Sequence, residues 1–442
     1  MNKLEINNLL AALTKAASVD KPLDFSQKSD REFYVGNLHG SGDPVSRLKK
    51  AIERTEGQSV HLFTGQPGSG KSTELKRLQY QLQKEHLPGE FHVSYIDLKE
   101  WINVHEEINL SNFLVGLIAA WVMQIDRAHK PNGWLDRFYT FLTTTNVVPK
   151  EISLNVGAGE SKANLKLALE TDANFRAALD EAVKKQGANF VQQAHRFIAT
   201  VQKELCANGS KCVLLVDSLE QIRGYGSTDN INKVYASLQK LFLGESSALK
   251  LPGLHLVYSI SPFVFEQNPQ LAALYGTSVV VNMPSVHVFL KKSTDLDPAG
   301  VTALTQLVTK RFVQWDKIFT DAQLQKIIRA SGGDLRDFLR MLRIASLEDT
   351  ASLPLPDSAI DFAMSQVAPP KSLPIEDIVW MAAVETNHDE QLGDKQDGLF
   401  LHRYLASKHV LAYYNGSTWY SVHPLIRDWV LSKAALQVST KT

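Results

Sequence analysis

The hydrophobic pattern of the chain changes its period part-way along. Short runs rich in Val, Leu and Ile have the length and continuity of strands that are buried on both faces. These runs lie at residues 59–65, 91–98, 211–219, 253–261 and 277–284. Segments with helical spacing separate them, and this alternation is typical of a parallel sheet covered by helices on both sides.

After residue 290 the strand pattern stops. Four segments with helical spacing follow one another, at residues 298–315, 320–331, 334–346 and 357–367. This succession predicts an all-helical domain after the sheet. The stretch QVAPPKSLP then indicates a linker.

The C-terminal segment has its own pattern. Helices are predicted at 375–386 and 398–408 on either side of a polar loop. The stretch VLAYYNGSTWYSVHP and a last helix follow. Since NGS between aromatic and β-branched residues is a hairpin turn, helices followed by a hairpin predict a winged helix.

A long excursion, roughly residues 125–200, separates the second and third predicted strands. ISLNV and NLKLAL alternate apolar and polar positions around a Gly-rich turn, which favours a hairpin among helices. The stretch KANLKLALE fits a helix equally well, and the sequence leaves the two alternatives open.

Composition narrows the function classes. The chain has 442 residues, 44% of them hydrophobic and 21% charged, which is typical of a globular protein of two or three domains. Lys plus Arg and Asp plus Glu are 47 each. A net charge of zero argues against a dominant nucleic-acid or acidic-membrane surface, although a local basic patch remains compatible with it.

The number of cysteines and the length of the apolar runs indicate the cellular compartment of the protein. Cys206 and Cys212 are too few for a disulfide scaffold or a zinc site, and we interpret them as ordinary reduced thiols of a cytosolic protein. No H-E-x-x-H or C-x-x-C motif occurs. The longest apolar run, residues 113–123, is too short to span a bilayer. We therefore expect a cytoplasmic protein without a membrane partner.

One motif carries specific chemistry. HLFTGQPGSGKSTEL matches G-x-x-x-x-G-K-[ST] between a predicted strand and a predicted helix. Its glycines let the backbone curl so that amide N–H groups point at phosphate oxygens, and the helix N-terminus faces the same anion. The nucleotide-binding residues predicted here are Gly65, Gln66, Pro67, Gly68, Ser69, Gly70, Lys71, Ser72 and Thr73. Lys71 would reach the β- and γ-phosphates of ATP, and the Ser72 hydroxyl would bind Mg²⁺.

An acid at the end of a buried strand supplies the second half of such a site. In VLLVDSLEQI, Asp217 is the predicted second Mg²⁺ ligand. Glu220, three residues later, would polarise the attacking water unless it only caps the next helix or makes a surface ion pair. Asp97, at the end of the preceding strand, is the alternative acid, although a structural role is favoured for it.

These features together resemble a known group of proteins. The phosphate-binding loop, hhhhDxxE, a strand ending in YSISP and the segment SGGDLRDFLRML resemble AAA+ ATPases of the STAND and origin-recognition or initiator types. The resemblance implies a P-loop ATPase with an α/β parallel-sheet domain, a helical lid and a C-terminal winged helix. The domains expected are an N-terminal helix at 1–30, the ATPase domain at 31–287, the lid at 288–368 and the winged helix at 369–442.

The resemblance also implies roles for particular residues. GGDLR is similar to the initiator-type sensor 2, which implies that Arg336 contacts the γ-phosphate or its vicinity. Ser259 or Ser261 would occupy the position that senses the γ-phosphate. Tyr34 and Val35, in FYVGNLHGSGDP, would contact the base. A trans-acting arginine could be Arg223 or Arg311, and the sequence does not choose between them.

The function predicted is an ATP-dependent switch. Such a switch would couple its nucleotide state to a protein partner or to self-assembly, and the STAND resemblance makes bacterial antiviral defence a plausible setting. In STAND-like proteins a winged helix acts as a latch over the nucleotide. The alternative is a DNA-binding ATPase of the initiator or loader type, although the hairpin YYNGSTWY carries no Lys or Arg for phosphate contacts.

Overall fold

The computed structural model describes residues 1–128, 133–145, 161–388 and 401–439, apart from residues 20, 40, 41, 225, 267, 269, 277, 278 and 402. Seven strands are present within these ranges. They are β1 (Ser59–Gly65), β2 (Phe91–Asp97), β3 (Lys211–Asp217), β4 (Leu254–Ile260), β5 (Val280–Met283), β6 (Val410–Tyr414) and β7 (Thr418–Val422).

Most of the chain's other elements are helices. In the first half they are α1 (Lys3–Ala16), α2 (Lys28–Phe33), α3 (Pro44–Arg54), α4 (Lys71–Lys84), α5 (Leu110–Ala128), α6 (Trp134–Thr144), α7 (Ser161–Thr171), α8 (Ala173–Gln186) and α9 (Ala188–Leu205). In the second half they are α10 (Thr228–Gln239), α11 (Pro262–Glu266), α12 (Leu271–Tyr275), α13 (Pro298–Arg311), α14 (Trp315–Ile318), α15 (Asp321–Ser331), α16 (Leu335–Ala345), α17 (Asp357–Val367), α18 (Ile375–Asn387) and α19 (Pro424–Ser439).

The central sheet has the strand order β2-β3-β4-β1-β5. The pairs β2/β3, β3/β4 and β4/β1 are all parallel. Every residue of β4 is buried, so this strand explains why the sequence shows a continuous apolar run rather than an alternating one. Burying each Leu, Val or Ile side chain of such a strand contributes roughly 1.5–3 kcal/mol. The predicted fold class, a parallel α/β sheet followed by helical parts, is confirmed.

The contacts divide the chain into two units. One contains Met1–Pro44, Gly65–Glu74 and Asn282–Thr442, and the other contains Val45–Thr64 and Leu75–Val281. We call them the loop unit, because it contains the GQPGSGKS loop, and the sheet unit, because it contains most of the central sheet. The domain boundaries expected from the sequence stay a prediction.

The sheet unit is built around one apolar core. Side chains from β3 and β4 pack there with the apolar helix α5 and with the inserted helices α6 to α9. In the excursion, KANLKLALE is helical and forms most of α7. The described half of the proposed hairpin is therefore a helix, because Leu165 and Leu169 face the core four residues apart. The segment ISLNV lies outside the described residues.

The loop unit has a helical core and a small C-terminal module. Helices α13 and α15 to α17 correspond to the four helical patterns in the sequence, and α1 packs against their core. Further on, α18, the antiparallel hairpin β6–β7 and α19 share a second cluster. Residues 403–406 are helical. This order of elements is the one from which a winged helix was predicted.

No helix among the described residues is both long and apolar enough to cross a membrane.

Candidate functional site

The GQPGSGKS loop has the backbone that its glycines predict. Gly65, Gly68 and Gly70 have φ values of 154°, 99° and 96°. Residues with a Cβ rarely adopt such backbone angles. The loop leaves β1 and enters α4, which begins at Lys71. Curled backbone followed directly by a helix N-terminus is an arrangement that binds anions.

Lys71 lies inside this curl. Its side chain is 3% exposed. Its Nζ donates to the carbonyl oxygens of Gly65 at 2.7 Å and of Gln66 at 2.9 Å. An ammonium group with three donors is thus held at the centre of the loop.

Gln66 has a role that sequence reasoning missed. It was predicted as part of the nucleotide-binding loop, yet its side chain is buried against the C-terminal module of the loop unit. Its Nε2 donates to the carbonyl oxygens of Val410 at 2.9 Å and Leu405 at 3.3 Å. Its Oε1 accepts from the amide of Ala412 at 2.8 Å and from the hydroxyl of Ser285 at 3.3 Å. One side chain of the loop therefore covers the outer edge of β6.

The GGDLR segment lies against the same loop. A Cβ placed on Gly68 would be 2.8 Å from Oδ2 of Asp334 and 3.1 Å from Cβ of Arg336. Asp334 caps α16 by accepting from the amide of Asp337 at 2.9 Å. The predicted sensor residue Arg336 is thus brought to the phosphate-binding loop, and its side chain is exposed.

The two glycines of GGDLR have a packing reason. Gly332 ends α15 in the left-handed conformation, and its carbonyl accepts from the Tyr413 hydroxyl at 2.6 Å. A Cβ on Gly333, whose φ is 83°, would lie 1.9 Å from the carbonyl oxygen of Val286. The two glycines are therefore also needed for packing, because one lies against the backbone of Val286 and the other contacts the C-terminal hairpin.

A buried charge cluster connects α16 to the C-terminal module. Nζ of Lys408 lies 2.9 Å from Asp334 and 3.1 Å from Asp337. Burial, together with the neighbouring Asp334, raises the pKa of Asp337 to about 6, although Lys408 opposes the shift. Burial lowers the pKa of the adjacent His423 to about 3, so this histidine is neutral, as a structural core histidine is expected to be.

The segment before the loop contributes further contacts. The Tyr34 hydroxyl donates to Glu74 of α4 at 2.9 Å, and Val35 is buried in the helical core. His39, which sequence reasoning passed over, is buried, and its Nδ1 lies 2.7 Å from the carbonyl oxygen of Pro284. Desolvation lowers its pKa to about 4, and the positive charge of Lys71 contributes in the same direction. The only signal for His39 was its place in FYVGNLHGSGDP, the segment in which Tyr34 and Val35 were predicted to contact the base.

In the sheet unit, Asp217 ends β3 and is fully buried. One carboxylate oxygen accepts from the Ser218 amide at 2.8 Å and the other from the Tyr95 hydroxyl. Asp97 is its register partner on β2. The Oδ1 of Asp97 is buried without a hydrogen-bond partner among the described residues. Two carboxylates therefore lie at adjacent strand ends.

Glu220 and Ser259 were predicted separately and lie together. The Ser259 hydroxyl, near the end of β4, donates to Oε2 of Glu220 at 2.8 Å. Both side chains are buried. The hydrogen bond fixes one oxygen of the carboxylate, and the catalytic role of Glu220 stays a prediction.

The two arginines predicted as candidate trans-acting groups differ in burial. Arg311 is largely buried, and its guanidinium donates to the carbonyl oxygens of Ala16 at 3.2 Å and Ser18 at 3.3 Å. Arg223 is exposed in the sheet unit.

Comparisons with known proteins give likenesses of structure. No protein-family model matches the chain, and no curated protein matches it by sequence. Among solved structures, the Aeropyrum pernix ORC2 protein, in ADPNP and ADP complexes, matches with a TM-score of 0.43 at 11% identity over 97% of this chain and 98% of its own. The Walker-type ATPase paby2304 of Pyrococcus abyssi matches with a TM-score of 0.44 at 13% identity over 94% and 99%.

A third structure, the Aeropyrum pernix ORC1 protein in complex with DNA, matches with a TM-score of 0.37 at 11% identity over 97% of this chain and 98% of its own. At TM-scores of 0.37 to 0.44, these likenesses assign neither a family nor an activity to this chain.

Proposed function

We propose that residues 65–73 bind ATP and that the chain is a nucleotide-dependent switch of the AAA+ type. The observation that carries the proposal is the loop itself, with three glycines at positive φ and a lysine ammonium held inside the curl. A triphosphate would replace the loop carbonyls as a partner of Lys71 and would lie at the positive end of α4.

The two residues predicted as Mg²⁺ ligands have the donor atoms that this cation prefers. Ser72 and Asp217 supply a hydroxyl and a carboxylate, and Mg²⁺ prefers oxygen donors. The described residues contain no group of three or more His, Cys, Asp or Glu that could hold a metal. A magnesium ion that keeps waters and binds substrate phosphates needs only one or two protein ligands. Bound with ATP, such an ion would neutralise charge on the phosphates.

Titration calorimetry with Mg²⁺ and ATP tests binding. We expect wild-type protein to bind with measurable heat and Lys71→Ala to lose at least about tenfold in affinity, since an ion-pair donor to the phosphates is removed. Lys84→Ala, at the exposed end of the same helix, is the matched control and should bind as wild type does. Equal affinity of Lys71→Ala and wild type would rule out the loop as the ATP site.

Hydrolysis is the second element of the proposal. Glu220 would orient the attacking water, and Ser259 would hold the carboxylate in place. Glu220→Gln should keep ATP affinity and lower turnover by about 100-fold, as expected when a general base is lost. Glu204→Gln, a half-exposed acid of the same unit, is the control in a phosphate-release assay. Unchanged turnover in Glu220→Gln would remove the proposed role.

The switch would act through the C-terminal module. Two independent connections run to it from the phosphate-binding loop and α16, one through Gln66 and one through Asp334 and Lys408. A ligand shifts an equilibrium only through contacts that differ between two states. We propose that filling the loop changes the strength of these two connections, so that the hairpin and α19 signal the nucleotide state to a protein partner or a second copy.

The initiator-type alternative, an ATPase acting on DNA, remains the second candidate. The structural likenesses include ORC proteins, one of them in complex with DNA, whereas no observation on this chain points to a STAND-like role in antiviral defence. Two arginines of the C-terminal module are engaged internally: Arg403 pairs with Asp377 at 2.8 Å and Arg427 with Glu385 at 2.8 Å.

Fluorescence anisotropy with duplex DNA over a salt series tests this alternative. DNA binding requires an affinity that falls steeply with salt, because phosphate contacts release counterions. Weak binding that does not change with salt would exclude the DNA candidate and leave the protein-partner switch.

A further inference from the structure

The two cysteines of the chain meet in the fold. Cys206 is the residue after the end of α9, and Cys212 is the second residue of β3. Their Sγ atoms are 2.8 Å apart although both are free thiols. A disulfide bond measures about 2.05 Å. Closing the bond therefore requires a displacement of less than about 1 Å.

The segment between the cysteines is anchored at both ends. The buried side chains of α9, such as Phe190 and Ile198, fix the helix before Cys206. Gly209 turns the chain with a φ of 80°. On the strand side, Nζ of Lys211 donates to the carbonyl oxygens of Glu53 at 2.8 Å and Thr55 at 2.9 Å. The two sulfur atoms are thus held near each other by rigid elements rather than by a loose loop.

The two thiols have different surroundings. Cys206 is partly exposed and Cys212 is buried. The hydrogen bond from the Cys212 thiol lowers the pKa of Cys206 to about 7, whereas the same contact and burial raise the pKa of Cys212. A partly exposed thiolate next to a second cysteine is the arrangement of an attacking and a resolving pair.

We propose that Cys206 and Cys212 are a redox modification site that forms a reversible intramolecular disulfide on reaction with a hydroperoxide. The Cys206 thiolate attacks the peroxide; an S–O bond forms and the O–O bond breaks. When the oxidant is hydrogen peroxide, the leaving group is hydroxide. Cys212 then attacks the sulfenic sulfur of Cys206; the S–S bond forms, the S–O bond breaks, and the leaving hydroxide takes up the proton of the Cys212 thiol to give water. Two thiols and one hydrogen peroxide give one disulfide and two waters, and a dithiol reverses the reaction.

The cross-link would tie the end of α9 to the beginning of β3 in the sheet unit. This inference does not depend on ATP binding, since neither cysteine belongs to the phosphate-binding loop. Its success or failure is therefore independent of the function proposed above.

Thiol titration and mass spectrometry of the full-length protein test the proposal. Because the chain has two cysteines, the number of free thiols should fall from two to zero with hydrogen peroxide and return with dithiothreitol. The peptides carrying Cys206 and Cys212 should be joined, with a mass about 2 Da below that of the two thiols. Non-reducing electrophoresis should show a monomer.

Single substitutions separate the role of Cys206 as the attacking thiol from that of Cys212 as the resolving thiol. In Cys212→Ser, Cys206 should accumulate as a sulfenic acid that dimedone traps. In Cys206→Ser, thiol loss should be at least about tenfold slower than in wild type, because the remaining thiol is buried. Peroxide that oxidises Cys206 to sulfinic acid in wild type without joining the two peptides would overturn the proposal. So would disulfides that form only between chains.

Discussion

The substitution Gln66→Ala tests whether the phosphate-binding loop holds the C-terminal module in place. It removes the amide that bonds the carbonyl of Val410 and the N–H of Ala412 at distances below 3.0 Å. Two weaker contacts at 3.3 Å, to Leu405 and Ser285, are lost with them. The substitution leaves the glycines of the loop in place, so we expect the loop backbone to keep its conformation. The loss of hydrogen bonds therefore falls mainly on β6.

The magnitude follows from the two short hydrogen bonds. Val410 and Ala412 are 0% and 6% exposed, so their freed backbone groups are not simply rehydrated. Leaving one buried donor or acceptor without a partner costs about 1–3 kcal/mol. Some relaxation and water entry reduce the sum, and we expect a loss of about 2–4 kcal/mol in the stability of the module.

Hydrogen exchange measured by mass spectrometry reports this loss directly. A cost of about 2 kcal/mol corresponds to roughly 30-fold faster exchange if β6 exchanges by local opening. The effect should be confined to peptides that cover β6 and β7. Addition of Mg²⁺ and ATP should change the exchange of these peptides in wild type and should change it less in Gln66→Ala.

Ser285→Ala is the matched control. It removes only the 3.3 Å contact to Gln66 and keeps the backbone bond from the Ser285 amide to the carbonyl of Ala412 at 3.0 Å. We expect an effect below about 1 kcal/mol. Exchange of β6 that is the same in Gln66→Ala, Ser285→Ala and wild type would refute the reasoning, because the loop side chain would then not hold the strand.

Two further predictions concern the GGDLR segment and acid sensitivity. Gly333→Ala should lower the midpoint of urea unfolding far more than Gly416→Ala, because both glycines have positive φ but only Gly333 lacks room for a Cβ; equal midpoints would contradict the packing argument. Burial lowers the pKa of His255 to about 4, so the unfolded state takes up a proton as pH falls below the ordinary value of about 6.5 and the folded state does not. Between about pH 7.5 and about pH 5.5 the wild type should therefore lose roughly 1.3 kcal/mol of unfolding free energy more than His255→Gln does. The exposed His105→Gln should behave as wild type in the same urea titrations, and parallel pH profiles for wild type and His255→Gln would show that His255 does not titrate on unfolding.

The sequence determined the local elements and the chemistry of the loop. Buried parallel strands need continuous apolar runs, so all five runs became strands of one sheet. The glycines and Lys71 are required locally by a curled backbone that ends in a helix, and this requirement is visible within eight residues. The four helical patterns after residue 290 likewise depend on the spacing of apolar side chains within each helix.

Only the tertiary structure decided which distant groups meet. Gln66 and Ala412 are separated by 346 positions along the chain, and no local pattern indicates that a loop amide completes the edge of a hairpin. The pairing of Ser259 with Glu220 and the contact between Cys206 and Cys212 depend in the same way on strand order and on where helices end. The physical reason is that periodicity records which face of an element is buried, whereas the partner on that face is selected by the packing of the whole unit.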